Sequence, residues 1–168
     1  SWFFHYVPVG DSPDVSLVPN AKQRQQILKA VYNARNTLPM MTVDFWGDGP
    51  EMMGCIAGGR QYVHVNPNGD VEPCTFVHLA THNVKNCTLT EALAAPFMKA
   101  IRDGIPYEDG NMLRPCMIVD RPDVLRKYYQ KFKPYETHEN AAAYLTDPKI
   151  TSEIDKYSEE VKEILDED

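Results

Sequence analysis

The sequence has neither a long apolar run nor an excess of basic residues. None of its apolar stretches approaches the roughly 18 residues that a membrane-spanning helix needs, and no basic start with a small-residue cleavage site indicates secretion. Its 17 Lys and Arg stand against 24 Asp and Glu, giving a net charge of −7, which argues against nucleic acid because phosphate binding needs clustered cations. We therefore expect a cytoplasmic protein with neither a membrane nor a nucleic-acid partner.

Closely paired cysteines are also missing. The four cysteines are Cys55, Cys74, Cys87 and Cys116, and none forms the C-x2-C pair that brings two thiolates to a small zinc ion. Nothing marks the chain as extracellular, so we expect reduced thiols rather than disulfides. The residues alone leave three alternatives: a metal-free binding domain with incidental thiols, a zinc-stabilised structural or interaction module, and an iron–sulfur cluster, whose size suits single ligands from separate loops.

The first third of the chain has the pattern of a strand, a helix and a second strand. Residues 2–9 form an almost continuous apolar run, which is typical of a strand buried on both faces of a parallel sheet. Asn20 is the predicted N-cap of a helix over residues 21–36, and residues 40–46 form the next strand, so the two strands are parallel. Such a pair needs neighbouring strands. Because the chain opens on Ser1 and directly on an apolar run, we expect an amino-terminal segment to be missing.

From residue 47 the sequence becomes rich in Gly, Pro and Asn. Residues 61–66 alternate at period two, and Asn68-Gly69 is a strong hairpin signal. A two-residue turn there pairs Val63 with Cys74. His64 on this hairpin is expected to be a satisfied, partly buried imidazole rather than a ligand.

Helices are predicted for most of the remainder. Thr88 and Glu91 fit a capping box that opens a helix running to Gly104, with a break at Pro96. Pro122 opens the next helix. The tail contains two helical stretches, and the last buries one face that holds Ile154, Tyr157, Val161 and Leu165.

The cysteine-bearing segment resembles a known group of domains. Cys55, thirteen residues, Gly69, four residues and Cys74 fit the C-x(9–15)-G-x4-C opening of the SPASM and twitch domains that follow the catalytic barrel in many radical S-adenosylmethionine (SAM) enzymes. Three further stretches occur in the order of that region: Gly58-Gly59-Arg60, Glu72-Pro73-Cys74 and Leu113-Arg114-Pro115-Cys116. Trp2 to Gly10 is similar to the last strand of the barrel.

The resemblance implies an α/β chain, α+β overall. Residues 1–46 are the terminal strand–helix–strand of a partial (β/α) barrel, residues 47–132 are a small cysteine-bearing hairpin and helix lobe, and residues 133–168 are a helical tail. It also implies one auxiliary [4Fe–4S] cluster with Cys55, Cys74 and Cys116 as metal ligands, the fourth iron being open or held by Cys87.

Two family motifs are missing, and both narrow the expected function. Without the C-x2-C-x5-C-x3-C of full SPASM domains, a single-cluster, twitch-like arrangement is expected. Without C-x3-C-x2-C this chain alone does not cleave SAM, so SAM and a second [4Fe–4S] cluster belong to the full-length protein and its amino-terminal radical SAM barrel. The auxiliary cluster then supports binding of an unidentified substrate, a peptide or a small molecule, or it transfers electrons.

Overall fold

Short strands and helices of moderate length alternate along residues 1–165, the part of the chain that the computed structural model describes. The helices are α1 (Ala21–Thr37), α2 (Gly49–Met52), α3 (Leu89–Ala94), α4 (Pro96–Asp103), α5 (Pro122–Phe132), α6 (Ala143–Thr146) and α7 (Pro148–Leu165). The strands are β1 (Trp2–Phe3), β2 (Val43–Asp44), β3 (His64–Val65), β4 (Val71–Glu72), β5 (Leu79–Ala80) and β6 (Tyr135–Glu136).

The amino-terminal strand–helix–strand unit is present. Strand β1 pairs in parallel with β2, with Trp2 opposite Val43, and α1 connects them. Asn20 caps α1 through a capping box in which its side chain accepts from the Gln23 amide at 3.0 Å and the Gln23 side chain accepts from the Asn20 amide at 2.9 Å. The local cap signal therefore placed the start of this helix correctly.

The first strand is shorter and more exposed than predicted. Only Trp2 and Phe3 form it, and Trp2 is 63% exposed, so the prediction of a strand over residues 2–9 buried on both faces is wrong. Within residues 1–165, β1 has one neighbour, β2, and a strand at the edge of a two-stranded parallel sheet has no strand covering its other side. Pro8 also lacks the N–H that a longer ladder needs.

The hairpin differs from its prediction by one residue. His64 pairs with Glu72 and Val65 with Val71, which leaves residues 66–70 between the strands and shifts the register by one residue. The predicted pairing of Val63 with Cys74 is therefore wrong. The Asn66 side chain accepts the amide of Asp70 at 3.0 Å and so supports the longer turn. Because a one-residue shift moves each side chain relative to the partner strand, Tyr62 is brought to Cys74 instead.

The helical predictions hold in their local details. Thr88 forms the expected capping box, and Pro96 separates α3 from α4. Helix α7 buries the four predicted apolar residues, Ile154, Tyr157, Val161 and Leu165. The α+β class is confirmed: residues 1–165 contain three two-stranded sheets and no closed barrel.

The tail is bound to both preceding parts of the chain. Helix α7 packs on α1, and β6 pairs antiparallel with β5, placing Leu79 opposite Glu136. One large hydrophobic core joins α7 to the cysteine-bearing lobe. In the described part of the chain no helix has the length and apolar character to cross a membrane.

Candidate metal centre

Cys55 lies in a tight loop after α2. Its thiol accepts a hydrogen bond from the backbone amide of Ala57. Gly58, whose φ of 70° favours glycine, donates its own amide to the carbonyl oxygen of Pro73 at 2.9 Å. This bond connects the Cys55 loop to the turn that carries Cys74.

Cys74 lies in a turn whose amides point at its sulfur. The thiol accepts hydrogen bonds from the amides of Phe76, at 3.5 Å, and Val77. The Tyr62 hydroxyl donates to the same sulfur at 2.9 Å, and its oxygen accepts the Thr75 amide at 3.2 Å. The backbone of the turn that carries Cys74 therefore also fixes the position of the Tyr62 hydroxyl.

Cys116 has a similar local arrangement. Its thiol accepts the amides of Ile118 and Val119, and the loop closes where the Asp120 amide donates to the Cys116 carbonyl oxygen at 2.9 Å. In all three loops the donors follow the cysteine by two or three residues. Such amide donors stabilise a thiolate more than a neutral thiol.

The thiols of Cys55, Cys74 and Cys116 lie at the main hydrophobic core and close enough to one another to interact. Cys55 interacts electrostatically with Cys74 and with Cys116, and all three pack against the main hydrophobic core. Among residues 1–165 no three His, Cys, Asp or Glu side chains are grouped as a site for a single metal ion. An iron–sulfur cluster takes ligands from positions farther apart than one ion does, because its irons are spread over several ångströms.

Cys87 lies in a different environment. It packs with a small separate cluster of Val71, Ala92 and Met98, and its thiol donates to the Asn83 carbonyl oxygen at 3.4 Å. Hydrogen bonding therefore separates Cys87 from the other three cysteines.

Burial keeps the other three cysteines protonated in the absence of metal. Desolvation, with a smaller contribution from Cys74, raises the pKa of the Cys55 thiol to about 12, and desolvation raises the pKa values of Cys74 and Cys116 as well. A metal that binds such thiols displaces their protons, and the amide donors then stabilise the resulting thiolates. Three thiols in donor-rich loops are a suitable set for an iron–sulfur cluster.

The prediction that His64 is a satisfied, partly buried imidazole is confirmed. Nδ1 of His64 lies 2.6 Å from Oε2 of Glu72, so the imidazole is partnered and partly buried. Glu72 is fully buried and also accepts the Thr137 hydroxyl at 2.5 Å. This carboxylate joins the hairpin to the start of the tail.

Three residues near the thiols were not found from the sequence. Tyr62 was missed because the hairpin was assigned one residue out of register. Asp120 accepts the Cys116 amide at 3.0 Å and pairs with Arg24. A signal for Arg24 does exist, since this basic residue stands seven positions before Val31, on the face of α1 that is buried.

Residues 55–120 match the SPASM family, described as an iron-sulfur cluster-binding domain. The matched segment begins at Cys55, contains all four cysteines and ends at Asp120. The predicted resemblance to the SPASM-type auxiliary domain of radical SAM proteins is confirmed for this segment, which covers less than half of the chain. No curated protein and no solved structure shows a significant match to the chain.

Proposed function

Starting from a SPASM iron–sulfur cluster-binding segment at residues 55–120, we propose that this chain is the auxiliary-cluster portion of a radical SAM enzyme. It binds one [4Fe–4S] cluster through Cys55, Cys74 and Cys116 and leaves the fourth iron open. The observation that carries the proposal is that these three thiols accept backbone amides around one core, whereas Cys87 donates to the Asn83 carbonyl oxygen. Such a cluster supplies an iron for substrate binding or a site for electron transfer.

Residues of this chain have distinct tasks in that role. The amides after each cysteine and the Tyr62 hydroxyl hold the sulfurs and stabilise their negative charge. Arg60 donates to the Cys55 carbonyl oxygen at 2.5 Å and brings a positive charge to the same loop. The core that surrounds the thiols restricts water and thereby strengthens these interactions.

We assign residues 1–46 to the end of the radical SAM barrel, 47–132 to the auxiliary-cluster lobe and 133–168 to the tail. The preceding barrel strands are the proposed partner of the exposed aromatic face of residues 1–46. Trp2 and Phe4 are 63% and 49% exposed, and both rings lie near Phe45. An uncovered aromatic group at the edge of a parallel pair is the surface that a further strand and helix would bury. The compartment proposed is the cytoplasm, where thiols remain reduced.

Anaerobic reconstitution with iron and sulfide tests the cluster. We expect roughly four irons per chain, the content of one [4Fe–4S] cluster, together with brown colour. The matched control is the variant Cys55→Ser/Cys74→Ser/Cys116→Ser, which keeps Cys87 and should bind almost none. Stoichiometric zinc without iron uptake would instead support a zinc-stabilised module, and absence of both metals would support a metal-free binding domain.

Incubation of the reconstituted protein with SAM and a strong reductant tests whether this chain alone cleaves SAM. We expect no 5′-deoxyadenosine above a no-protein control, because the chain lacks C-x3-C-x2-C. Product formed by this chain would contradict its assignment as an auxiliary portion. A longer chain that includes the barrel should form the product and should also bury Trp2, which a blue shift of its fluorescence would report.

A further inference from the structure

A buried ion pair joins the amino-terminal helix to the Cys116 loop. Arg24 of α1 and Asp120 pair through short contacts, with side chains that are 2% and 0% exposed. The other carboxylate oxygen of Asp120, Oδ2, accepts the Cys116 amide at 3.0 Å. One carboxylate therefore contacts both a helix of the amino-terminal unit and the backbone of a candidate ligand.

The same loop is also held from the tail. Arg24 donates to the Leu113 carbonyl oxygen at 2.9 Å, just before the loop. Ser158 of α7 donates to the Asp120 carbonyl oxygen at 2.8 Å. These bonds fix the loop from two helices that lie outside the segment matching the SPASM family.

Besides holding the loop, the Arg24–Asp120 pair affects the charge beside the proposed cluster. Asp120 Oδ2 accepts the amide of Cys116 itself at 3.0 Å, and the Asp120 side chain is fully buried, so a buried carboxylate lies beside this candidate ligand. In a low-dielectric interior an unpaired carboxylate at this position would oppose the additional negative charge of a thiolate or of a reduced cluster. Arg24 supplies the compensating positive charge.

We infer that Arg24 and Asp120 are positioning residues that hold the Cys116 loop and balance the charge beside the cluster, so that the amino-terminal unit sets its reduction potential. This inference rests on the proposed function. It implies opposite effects for the two halves of one ion pair. Asp120→Asn removes a negative charge and should raise the potential, whereas Arg24→Gln leaves that charge unpaired and should lower it.

Spectroelectrochemical titration of the reconstituted variants measures these shifts. The double variant Arg24→Gln/Asp120→Asn is neutral at both positions, so its potential should return toward that of the wild type, and it also serves if Arg24→Gln alone does not fold. The control is Arg126→Gln, which removes the ion pair of Arg126 with Asp155 between α5 and α7 and should leave the potential unchanged. Shifts of the same sign in both single variants, or no shift, would overturn the inference.

A second measurement uses the metal-free protein and keeps the two proposals separable. In Asp120→Ala the Cys116 amide loses its acceptor, so hydrogen exchange of a peptide spanning residues 114–119 should accelerate roughly tenfold. Exchange over residues 64–72 should remain unchanged, as should exchange of both segments in Asp120→Asn, which retains an acceptor oxygen. Unchanged exchange in Asp120→Ala overturns the inference even if the cluster loads. Failure of the wild type to bind iron instead overturns the proposed function, and the exchange result then still decides whether the ion pair holds the Cys116 loop.

Discussion

Cys87 and Cys116 are both partly buried cysteines in loops, yet their sulfurs have opposite hydrogen-bonding roles. Cys116 accepts two backbone amides, whereas Cys87 donates to the Asn83 carbonyl oxygen. Cys55 and Cys74 are like Cys116. Because all four fall in the same class of burial, exposure does not separate a candidate ligand from a packing cysteine here. The direction of the hydrogen bond does, because an amide that donates to sulfur also stabilises the thiolate that a metal would bind.

Replacing the cysteines one at a time gives the largest expected effect. Cys55→Ser, Cys74→Ser and Cys116→Ser should each lose most of the reconstituted iron and of its visible absorbance, because each removes a thiolate from the proposed set. Cys87→Ser should retain both. If Cys87→Ser loses iron as severely as the other three, the cluster has four thiolate ligands, and direct binding of substrate to an open iron is excluded.

The packing of the Cys55 loop can be tested by substituting Gly58. Gly58 has φ of 70°, and an added Cβ would lie 2.7 Å from Cγ2 of Ile101. Gly58→Ala should therefore lower the free energy of unfolding by about 2–4 kcal/mol, combining left-handed strain with overpacking. Urea denaturation of the reduced, metal-free protein measures this.

Gly110 provides the matched control for that substitution. Its φ is also 70°, but nothing lies within 4 Å of the position of an added Cβ. Gly110→Ala should cost only the strain, about 1 kcal/mol. Equal losses for the two variants would show that the Cys55 loop is not closely packed.

A further prediction concerns His5, a buried imidazole beside Trp46. Both ring nitrogens lack a hydrogen-bond partner among the described residues, and the ring stacks on Trp46 with centroids 4.7 Å apart. Burial chiefly, aided by the positive charge of Arg24, lowers the pKa of His5 to about 4. The unfolded chain therefore binds a proton near pH 6.5 that the folded chain does not accept until about pH 4.

Stability should consequently fall as the pH drops below 6.5. Protonation of His5 in the unfolded chain should lower the free energy of unfolding by about 2 kcal/mol at pH 5 relative to pH 8. Comparing urea denaturation of the wild type with His5→Phe, which preserves the stacking, isolates this term from other titrating groups. Parallel pH profiles for the two proteins would show that His5 gains a partner in solution.

Local signals predicted this fold better than long-range ones. The caps at Asn20 and Thr88 and the break at Pro96 depend on a few adjacent residues, and all three were found from the sequence. The length of β1 depends on how many strands lie beside it. The hairpin register depends on how the Asn66 side chain binds the turn. Neither can be deduced from alternation alone.

The candidate site was predictable to the same extent. The spacing of Cys55, Gly69 and Cys74 predicted the family that the comparison confirms over residues 55–120. Arg24 and Asp120 are 96 positions apart in the sequence, so only the folded chain brings them together. The assignment of Cys55, Cys74 and Cys116 as ligands remains a prediction that the serine variants test.

The smallest expected effect concerns a single hydroxyl group. Tyr62→Phe removes the donor to Cys74 at 2.9 Å and the acceptor of the Thr75 amide. We expect full iron content, a loss of about 1 kcal/mol in the free energy of unfolding, and a more negative reduction potential, because a donor to a cluster sulfur favours the reduced form. Equilibrium denaturation and spectroelectrochemistry measure the two quantities.

The matched control is Tyr144→Phe. Tyr144 is fully buried and interacts electrostatically with Cys74 and Cys116, but within residues 1–165 its hydroxyl has no hydrogen-bond partner. Deleting an unsatisfied buried hydroxyl is nearly neutral or stabilising, so this variant should keep the wild-type potential and unfold no more easily. The two variants make the same chemical change near the same sulfur and differ only in whether the hydroxyl donates to it. An equal shift of reduction potential in both variants would mean that general polarity near the sulfurs, rather than the donated hydrogen bond, sets the potential. The effect of hydrogen-bond direction on the cysteines would then be limited to the backbone amides.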